Sequence, residues 1–133
     1  MSNLYKSYGY LHYGEEWKLI VKIDQDISNY YRSLIPKYME VYPQMWPAHI
    51  TVVRVKREVP TIIKPWKKYD GQPIEFLYSP IIYWDEKYYW LDVYCKALEL
   101  IRKELGLPYV SQYTLPPSGF KKVFHITIGN KKA

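Results

Sequence analysis

The stretch Ala48-His49-Ile50-Thr51-Val52 has a counterpart near the end of the chain, Phe124-His125-Ile126-Thr127-Ile128. Each reads apolar, histidine, apolar, threonine, apolar, and each lies in a run of β-branched and aromatic residues that is typical of a β-strand. Successive side chains of a strand point to opposite faces, so the histidine and threonine share one face and the apolar residues share the other. The pattern therefore predicts two strands that each hold a polar pair beside a buried core.

The chain around each of these motif strands follows one order: a β-hairpin, a helix and then the motif strand. In the first half we expect strands over 5–13 and 17–23, a helix from Asp24 or Asp26 to Pro36, and a motif strand over 48–55. In the second half we expect strands over 74–84 and 88–94, a helix over 93–105 and a motif strand over 120–129. Gly106 and Pro108 supply the stop signal for the second helix.

This order predicts a single α+β domain over residues 1–133, built of two pseudo-repeats at about 1–56 and 73–133. The segment 57–72, which is rich in Pro, Lys and Trp, is expected to cross between them. Residue identities hardly match between the halves, so what repeats is the order of elements. Two like halves related by a pseudo-twofold axis would bring the two polar pairs into one site.

Two histidines that face one cleft can divide acid–base work, because the unperturbed pKa of histidine lies close to neutral pH. One takes a proton from the attacking water or hydroxyl, and the other protonates the departing oxygen. A threonine hydroxyl beside each imidazole is suited to hydrogen bonding a phosphate oxygen. The alternative reading is that His49 and His125 are core histidines whose neighbours satisfy them.

With these motifs the chain resembles the 2H phosphoesterases, a family named for two H-x-T motifs, one in each half of a pseudo-symmetric fold. The resemblance covers nearly the whole chain and implies a bilobal fold in which antiparallel sheets line a central cleft and helices lie outside. It implies phosphodiester cleavage without a metal or cofactor, with His49, Thr51, His125 and Thr127 as the catalytic residues.

Substrates of that family include 2′,3′-cyclic phosphates, 2′–5′ linkages and cyclic nucleotides. Its members include RNA-repair and tRNA-splicing enzymes, and phage enzymes that destroy cyclic nucleotide immune signals. For this chain we expect a metal-independent phosphodiesterase that acts on a small nucleotide or short oligonucleotide. An RNA-end-processing enzyme and a non-catalytic RNA- or nucleotide-binding module are the alternatives.

Other residues are weaker candidates for substrate binding. His12 and Tyr10 share a face of the first strand and could line the cleft. Tyr113 and Phe120 flank a Pro-Pro loop where they could hold a base, and Lys122 could attract phosphate. For His12 an ordinary surface or core role is an equal alternative. Packing is favoured for Tyr113 and Phe120, and a solvated charged face is favoured for Lys122. The chain has three histidines without zinc-ligand spacing, so no metal site is expected.

Composition limits the partners and the compartment. A formal net charge of +6 suits an anionic ligand, and 16 Tyr and 5 Trp offer surfaces on which bases can stack. One cysteine rules out an intramolecular disulfide and is compatible with a reducing compartment. No signal-like or membrane-spanning stretch is evident. We therefore expect a cytoplasmic monomer (in the host cytoplasm if viral) with no membrane contact and no obligate protein partner.

Overall fold

The structure is a computed structural model that describes residues 3–111 and 123–131. Within these residues the chain forms seven strands and two α-helices. The strands are β1 (Tyr5–Tyr13), β2 (Leu19–Lys22), β3 (His49–Val53), β4 (Pro73–Tyr78), β5 (Tyr83–Trp84), β6 (Tyr88–Tyr94) and β7 (Phe124–Asn130). The helices are α1 (Gln25–Ser33) and α2 (Lys96–Glu104), and a short 3-10 helix, Lys37–Met39, follows α1.

Six of the described strands close into an antiparallel barrel in the order β4-β1-β2-β3-β7-β6, and the pairing of β6 with β4 completes the ring. The short β5 pairs with β6 as an appendage. The predicted α+β class is therefore confirmed. If β1 is exchanged with β4, β2 with β6 and β3 with β7, every pair of neighbouring barrel strands becomes another pair of neighbouring barrel strands. The connectivity is thus pseudo-twofold, and the two motif strands meet where the halves adjoin.

The core is marked by a row of five apolar residues that lie directly opposite one another on five neighbouring strands. The row runs Leu11, Val21, Ile50, Ile126 and Leu91. Each of the five is at most 3% exposed, and apolar residues of both helices join the same cluster. Burying such side chains stabilises the fold by about 1.5–3 kcal/mol apiece. The apolar positions between the motif histidines and threonines are therefore part of the core, as the alternation predicts.

Both predicted helices form, and local signals set their ends. Asp24 is the N-cap of α1, since its carboxylate accepts a hydrogen bond of 2.9 Å from the amide of Asp26. At the end of α2 the chain turns through Gly106 with φ of +78°, a left-handed conformation that glycine adopts without strain. None of the helices in the described part of the chain is long and apolar enough to cross a membrane.

The expectation of one strand over 74–84 is wrong, because the chain leaves the ladder after Tyr78. The hydroxyl of Ser79 accepts a hydrogen bond of 3.2 Å from the amide of Ile81, and Pro80 has no N–H to donate. Beyond this break β5 forms a hairpin with β6. The carboxylate of Asp85 holds that turn by accepting two backbone hydrogen bonds of 2.8 Å.

Two other observed boundaries, the start of α2 and the end of β3, also differ from the predicted ones. Helix α2 begins at Lys96 and not near 93, because residues 93 and 94 pair with β4. Strand β3 ends at Val53 and not near 55, because the carbonyl of Arg54 accepts hydrogen bonds from the amides of Arg57 and Glu58 in a turn. The second motif strand is observed from Phe124, and residues 120–122 lie outside the described residues.

The crossing segment 57–72 is tied to both halves. The ring of Trp66 packs edge-on against Tyr13 and Trp17 of the first hairpin, with centroid distances of 4.8 and 5.0 Å. Near its start, Glu58 forms a bidentate ion pair with Arg102 of α2, at 3.1 and 2.9 Å. The segment thus fastens the end of β3 to the second helix.

Candidate active site

One strand pairing sets the geometry of the candidate site. Ile50 of β3 lies opposite Ile126 of β7 in an antiparallel ladder. One step away in either direction, His49 therefore lies opposite Thr127 and Thr51 lies opposite His125. Directly opposed residues point to the same face of a sheet, so the four polar side chains of the two motifs stand side by side. All four are half-buried.

The face that carries these four residues extends over the neighbouring strands as two rows, one on each side of the core row. The first row is Tyr10, Lys22, His49, Thr127 and Trp90, and the second is His12, Ile20, Thr51, His125 and Asp92. We call these ten residues the site face. Its centre is at the meeting of β3 and β7, where the two halves of the chain adjoin.

Two adjoining cavities open on the site face. The smaller, of about 200 Å³, is lined by His49, Thr51, His125 and Thr127 together with Gln44, Trp46, Pro47, Arg54 and Tyr88. The larger, of about 830 Å³, extends over β2 and shares five lining residues with the smaller: Trp46, Pro47, His49, Thr51 and Arg54. Its described lining also contains His12, Lys18, Lys22 and Arg57 and includes no Asp or Glu. A small polar pocket thus adjoins a larger, cation-lined one.

The imidazole of His49 is oriented by the backbone. Its Nδ1 atom lies 2.8 Å from the carbonyl oxygen of Pro47. A carbonyl oxygen only accepts hydrogen bonds, so Nδ1 carries the proton and, in the neutral ring, Nε2 keeps its lone pair. His49 is therefore held in the tautomer in which Nε2 can take up a proton.

The imidazole of His125 has a different environment. Its Nδ1 atom is buried and has no hydrogen-bond partner among the described residues. Burial, followed by the positive charge of Arg54 and the proximity of His49, lowers the pKa of His125 from 6.5 to about 4. At neutral pH and without a ligand, this ring is therefore uncharged.

An acidic residue lies directly across the ladder from His125. Asp92 of β6 is 2% exposed, and its carboxylate accepts a hydrogen bond of 3.2 Å from the indole of Trp90. Burial raises the pKa of Asp92 from 3.8 to about 6, although the indole donor opposes this. The second row of the site face therefore ends in two titratable groups, His125 and Asp92, whose charged forms are both disfavoured by burial.

The weaker candidates for substrate binding differ in where they lie relative to the cavities. His12 lies on the site face and lines the larger cavity, whereas Tyr10 lies on the same face, exposed, and lines neither cavity. Tyr113, Phe120 and Lys122 lie outside the described residues.

Three residues of the site were not singled out as binding residues from the sequence. Trp46 is 67% exposed at the rim of both cavities, three residues before His49. Lys22 and Asp92 join the site face only through strand register, across from His49 and His125 respectively. Alternation along β2 and β6 would have allowed these placements, but only with the pairing of the strands known.

The donor set suits acid–base and phosphate chemistry more than metal binding. In residues 3–111 and 123–131 there is no group of three or more His, Cys, Asp or Glu side chains that could hold a metal ion. Two imidazoles, two hydroxyls and a guanidinium are, in contrast, the groups that bond phosphate oxygens and move protons.

Comparisons with known proteins provide no relative for this chain. No protein-family model, no curated protein and no solved structure matches it.

Proposed function

We propose that this protein is a metal-independent phosphodiesterase of the 2H type, with His49 and His125 as its acid–base pair and Thr51 and Thr127 as phosphate ligands. The observation that carries the proposal is the pairing of Ile50 with Ile126, because it gathers both H-x-T motifs into one small cavity. The pseudo-twofold connectivity of the barrel supports the bilobal relation that the 2H resemblance implies.

The environments of the two imidazoles suggest a division of labour. His49, with its proton held on Nδ1 by Pro47, accepts the proton of the attacking water or hydroxyl at Nε2. His125 then protonates the departing oxygen, for which it has to take up a proton when substrate binds. The negative charge of a bound phosphodiester favours that uptake, since it opposes the effect of Arg54 on the pKa of His125.

The larger cavity supports a nucleotide or short oligonucleotide as the substrate. Its volume of about 830 Å³ falls within the range of small-molecule sites, and its charged lining residues are cationic. Trp46, exposed at the rim of both cavities, offers an aromatic surface on which a base can stack. Second messengers with cyclic or 2′–5′ linkages and RNA ends with 2′,3′-cyclic phosphates all carry a negatively charged phosphodiester for the cationic lining and a base for the tryptophan.

The test is to incubate the protein, with EDTA present, with cyclic mono- and dinucleotides, 2′–5′ oligoadenylate and RNA that ends in a 2′,3′-cyclic phosphate. We expect cleavage of at least one of these substrates, with product identity giving the bond and its polarity. The matched control is the double variant His49→Ala/His125→Ala, which should retain its fold and lose turnover. Activity that EDTA abolishes and zinc or manganese restores contradicts the mechanism, and a wild type that binds without cleaving indicates a binding module.

A further inference from the structure

Arg54 is the first residue after β3, and its position joins the two cavities. It lines both the small cavity that holds the H-x-T residues and the larger cavity over β2. His125 lines the same small cavity, and the positive charge of Arg54 contributes to the lowered pKa of His125. Among the described residues the Arg54 side chain has no ion-pair partner within 4.0 Å. A guanidinium so placed can bind an anion in either cavity.

The backbone of Arg54 is fixed by Glu58. The carboxylate of Glu58 accepts a hydrogen bond of 3.0 Å from the amide of Arg54, and the amide of Glu58 donates one of 3.0 Å to the carbonyl of Arg54. The two residues thus close a tight loop at the end of β3. The direction in which the Arg54 side chain leaves the strand depends on this loop.

Glu58 is itself held from α2 by a buried arginine. Arg102 is fully buried and contacts both carboxylate oxygens of Glu58, while it also donates to the carbonyls of Val52 (2.7 Å) and Pro108 (2.8 Å). Burial alone would raise the pKa of Glu58, but these hydrogen bonds and the charge of Arg102 keep it below its ordinary value. The carboxylate is therefore charged and locked in one position.

We infer that Arg54 is a phosphate-binding residue of the candidate site, and that Glu58 and Arg102 are positioning residues that hold it at the junction of the two cavities. The planar guanidinium offers paired N–H donors that match two phosphate oxygens, which neither histidine nor threonine provides. The inference rests on the proposed function for the identity of the anion. Anion binding, however, can be measured without turnover.

The first experiment titrates inorganic phosphate into the protein at low ionic strength and follows the amide and histidine resonances by NMR. We expect Arg54→Gln to weaken phosphate binding about tenfold or more, and Arg54→Lys to weaken it less, because lysine keeps the charge and loses the paired donors. The matched control is Lys56→Gln. It removes the same charge two residues away, where the exposed Lys56 ammonium faces Glu16 at 3.5 Å and lines neither cavity. Its affinity should stay within about twofold of wild type.

The second experiment separates the effect of the position of Arg54 on phosphate binding from the effect of the protein's net charge. The double variant Glu58→Met/Arg102→Met leaves the net charge unchanged, and replacement of a buried ion pair by apolar residues is often tolerated. If the pair positions Arg54, phosphate binding weakens several-fold although the net charge of the protein is the same. Should this variant lose its native spectrum, Glu58→Gln serves in its place. That change makes the protein more positive, so long-range attraction alone predicts tighter binding and loss of position predicts weaker binding.

The outcomes are distinct. Phosphate binding that is absent in the wild type, or equally tight in Arg54→Gln, overturns the assignment of Arg54. Unchanged or tighter binding in the folded Glu58 variants overturns the positioning role. A wild type that binds phosphate through Arg54 but never cleaves a nucleotide supports this inference and contradicts the proposed function.

Discussion

His49 and His125 occupy equivalent places in the two halves of the molecule, yet their surroundings differ. Both are the histidine of an H-x-T motif, both stand on the site face, and each lies opposite a threonine of the other motif. His49 begins β3 and donates from Nδ1 to a carbonyl two residues earlier. His125 lies one residue inside β7, between β3 and β6, with its Nδ1 buried and unpartnered among the described residues.

This difference shows that the H-x-T motif controls which face an imidazole occupies, whereas the neighbouring residues control the environment of the ring. The alternation within H-x-T fixes which face each imidazole occupies. The carbonyl of Pro47 before β3 orients the ring of His49, whereas burial, followed by the charge of Arg54 and the proximity of His49, lowers the pKa of His125. Equivalent positions in the two halves therefore hold imidazoles in different environments, and the imidazole of His125 is uncharged at neutral pH when no ligand is bound.

The largest expected effect tests whether both histidines act. His49→Ala and His125→Ala should each lower kcat by about a hundredfold or more on the substrate that the panel identifies, because each removes one proton-transfer step. Initial rates measure this. His12→Ala, in the larger cavity, is the control and should leave kcat nearly unchanged. A wild-type rate in either motif variant would remove that histidine from the mechanism.

The next prediction uses the dependence of stability on pH. Between about pH 4 and 6.5, unfolded His125 binds a proton that the folded protein excludes, so its contribution to the free energy of unfolding falls as pH is lowered. Asp92 acts oppositely between 3.8 and about 6: the folded protein holds a proton that the unfolded chain releases, so its contribution rises as pH is lowered. Each slope is at most about 1.4 kcal/mol per pH unit.

Single variants should separate these opposed slopes. Relative to wild type, His125→Gln should gain stability as pH falls from 6.5 to 4, and Asp92→Asn should lose it over nearly the same range. Denaturant midpoints across this range measure both. Identical pH dependence in all three proteins would mean that neither group titrates abnormally, and the contrast between His49 and His125 would disappear.

A smaller effect is expected for the threonines. Thr51→Val and Thr127→Val keep the shape of the side chain and remove the hydroxyl, so each should lower kcat/KM about tenfold if the hydroxyl bonds phosphate. Thr→Ser at the same positions keeps the hydroxyl and should restore most of the activity. If valine is tolerated at one position only, the asymmetry of the histidines extends to their threonine neighbours.

The smallest predicted effect concerns Trp46, which belongs to the His49 side of the site. Trp46→Ala should raise KM about fivefold with little change in kcat, since stacking of a base at an exposed rim contributes to binding and not to proton transfer. Trp46→Phe should retain most of the affinity. Trp84→Ala, an exposed tryptophan of β5 that lines neither cavity, should leave KM unchanged.

The sequence predicted best what depends on local patterns. Alternation around His49 and His125 gave the motif strands and the face of each polar pair, and Asp24 and Gly106 marked helix ends through local backbone chemistry. The break after Tyr78 was missed because the apolar, aromatic run through Ser79-Pro80 continues the strand pattern. Tertiary context decides the break, since β4 ends where its last residues pair with the end of β6, and the residues beyond it return to pair with the start of β6 as β5.

The parts of the site that escaped prediction are those set by pairing between distant segments. Nothing near Asp92 in the sequence indicates that it lies across from His125, and nothing near Glu58 indicates that Arg102 binds it. The sequence shows Arg54 only as one charged residue beside a motif strand. Its position at the junction of the two cavities depends on the buried ion pair between Glu58 and Arg102, and these two residues are more than forty positions apart in the sequence.

The pairing of Ile50 with Ile126 also has a consequence for how the protein folds. The two residues belong to opposite halves of the chain, and this contact closes one of the longest loops in the molecule. Such contacts are slow to form, because much chain entropy is lost before they stabilise anything. Neither half alone contains both motifs, so a partly folded chain with one finished half has no competent centre. Recovery of activity during refolding should therefore lag behind helix formation and coincide with closure of the barrel.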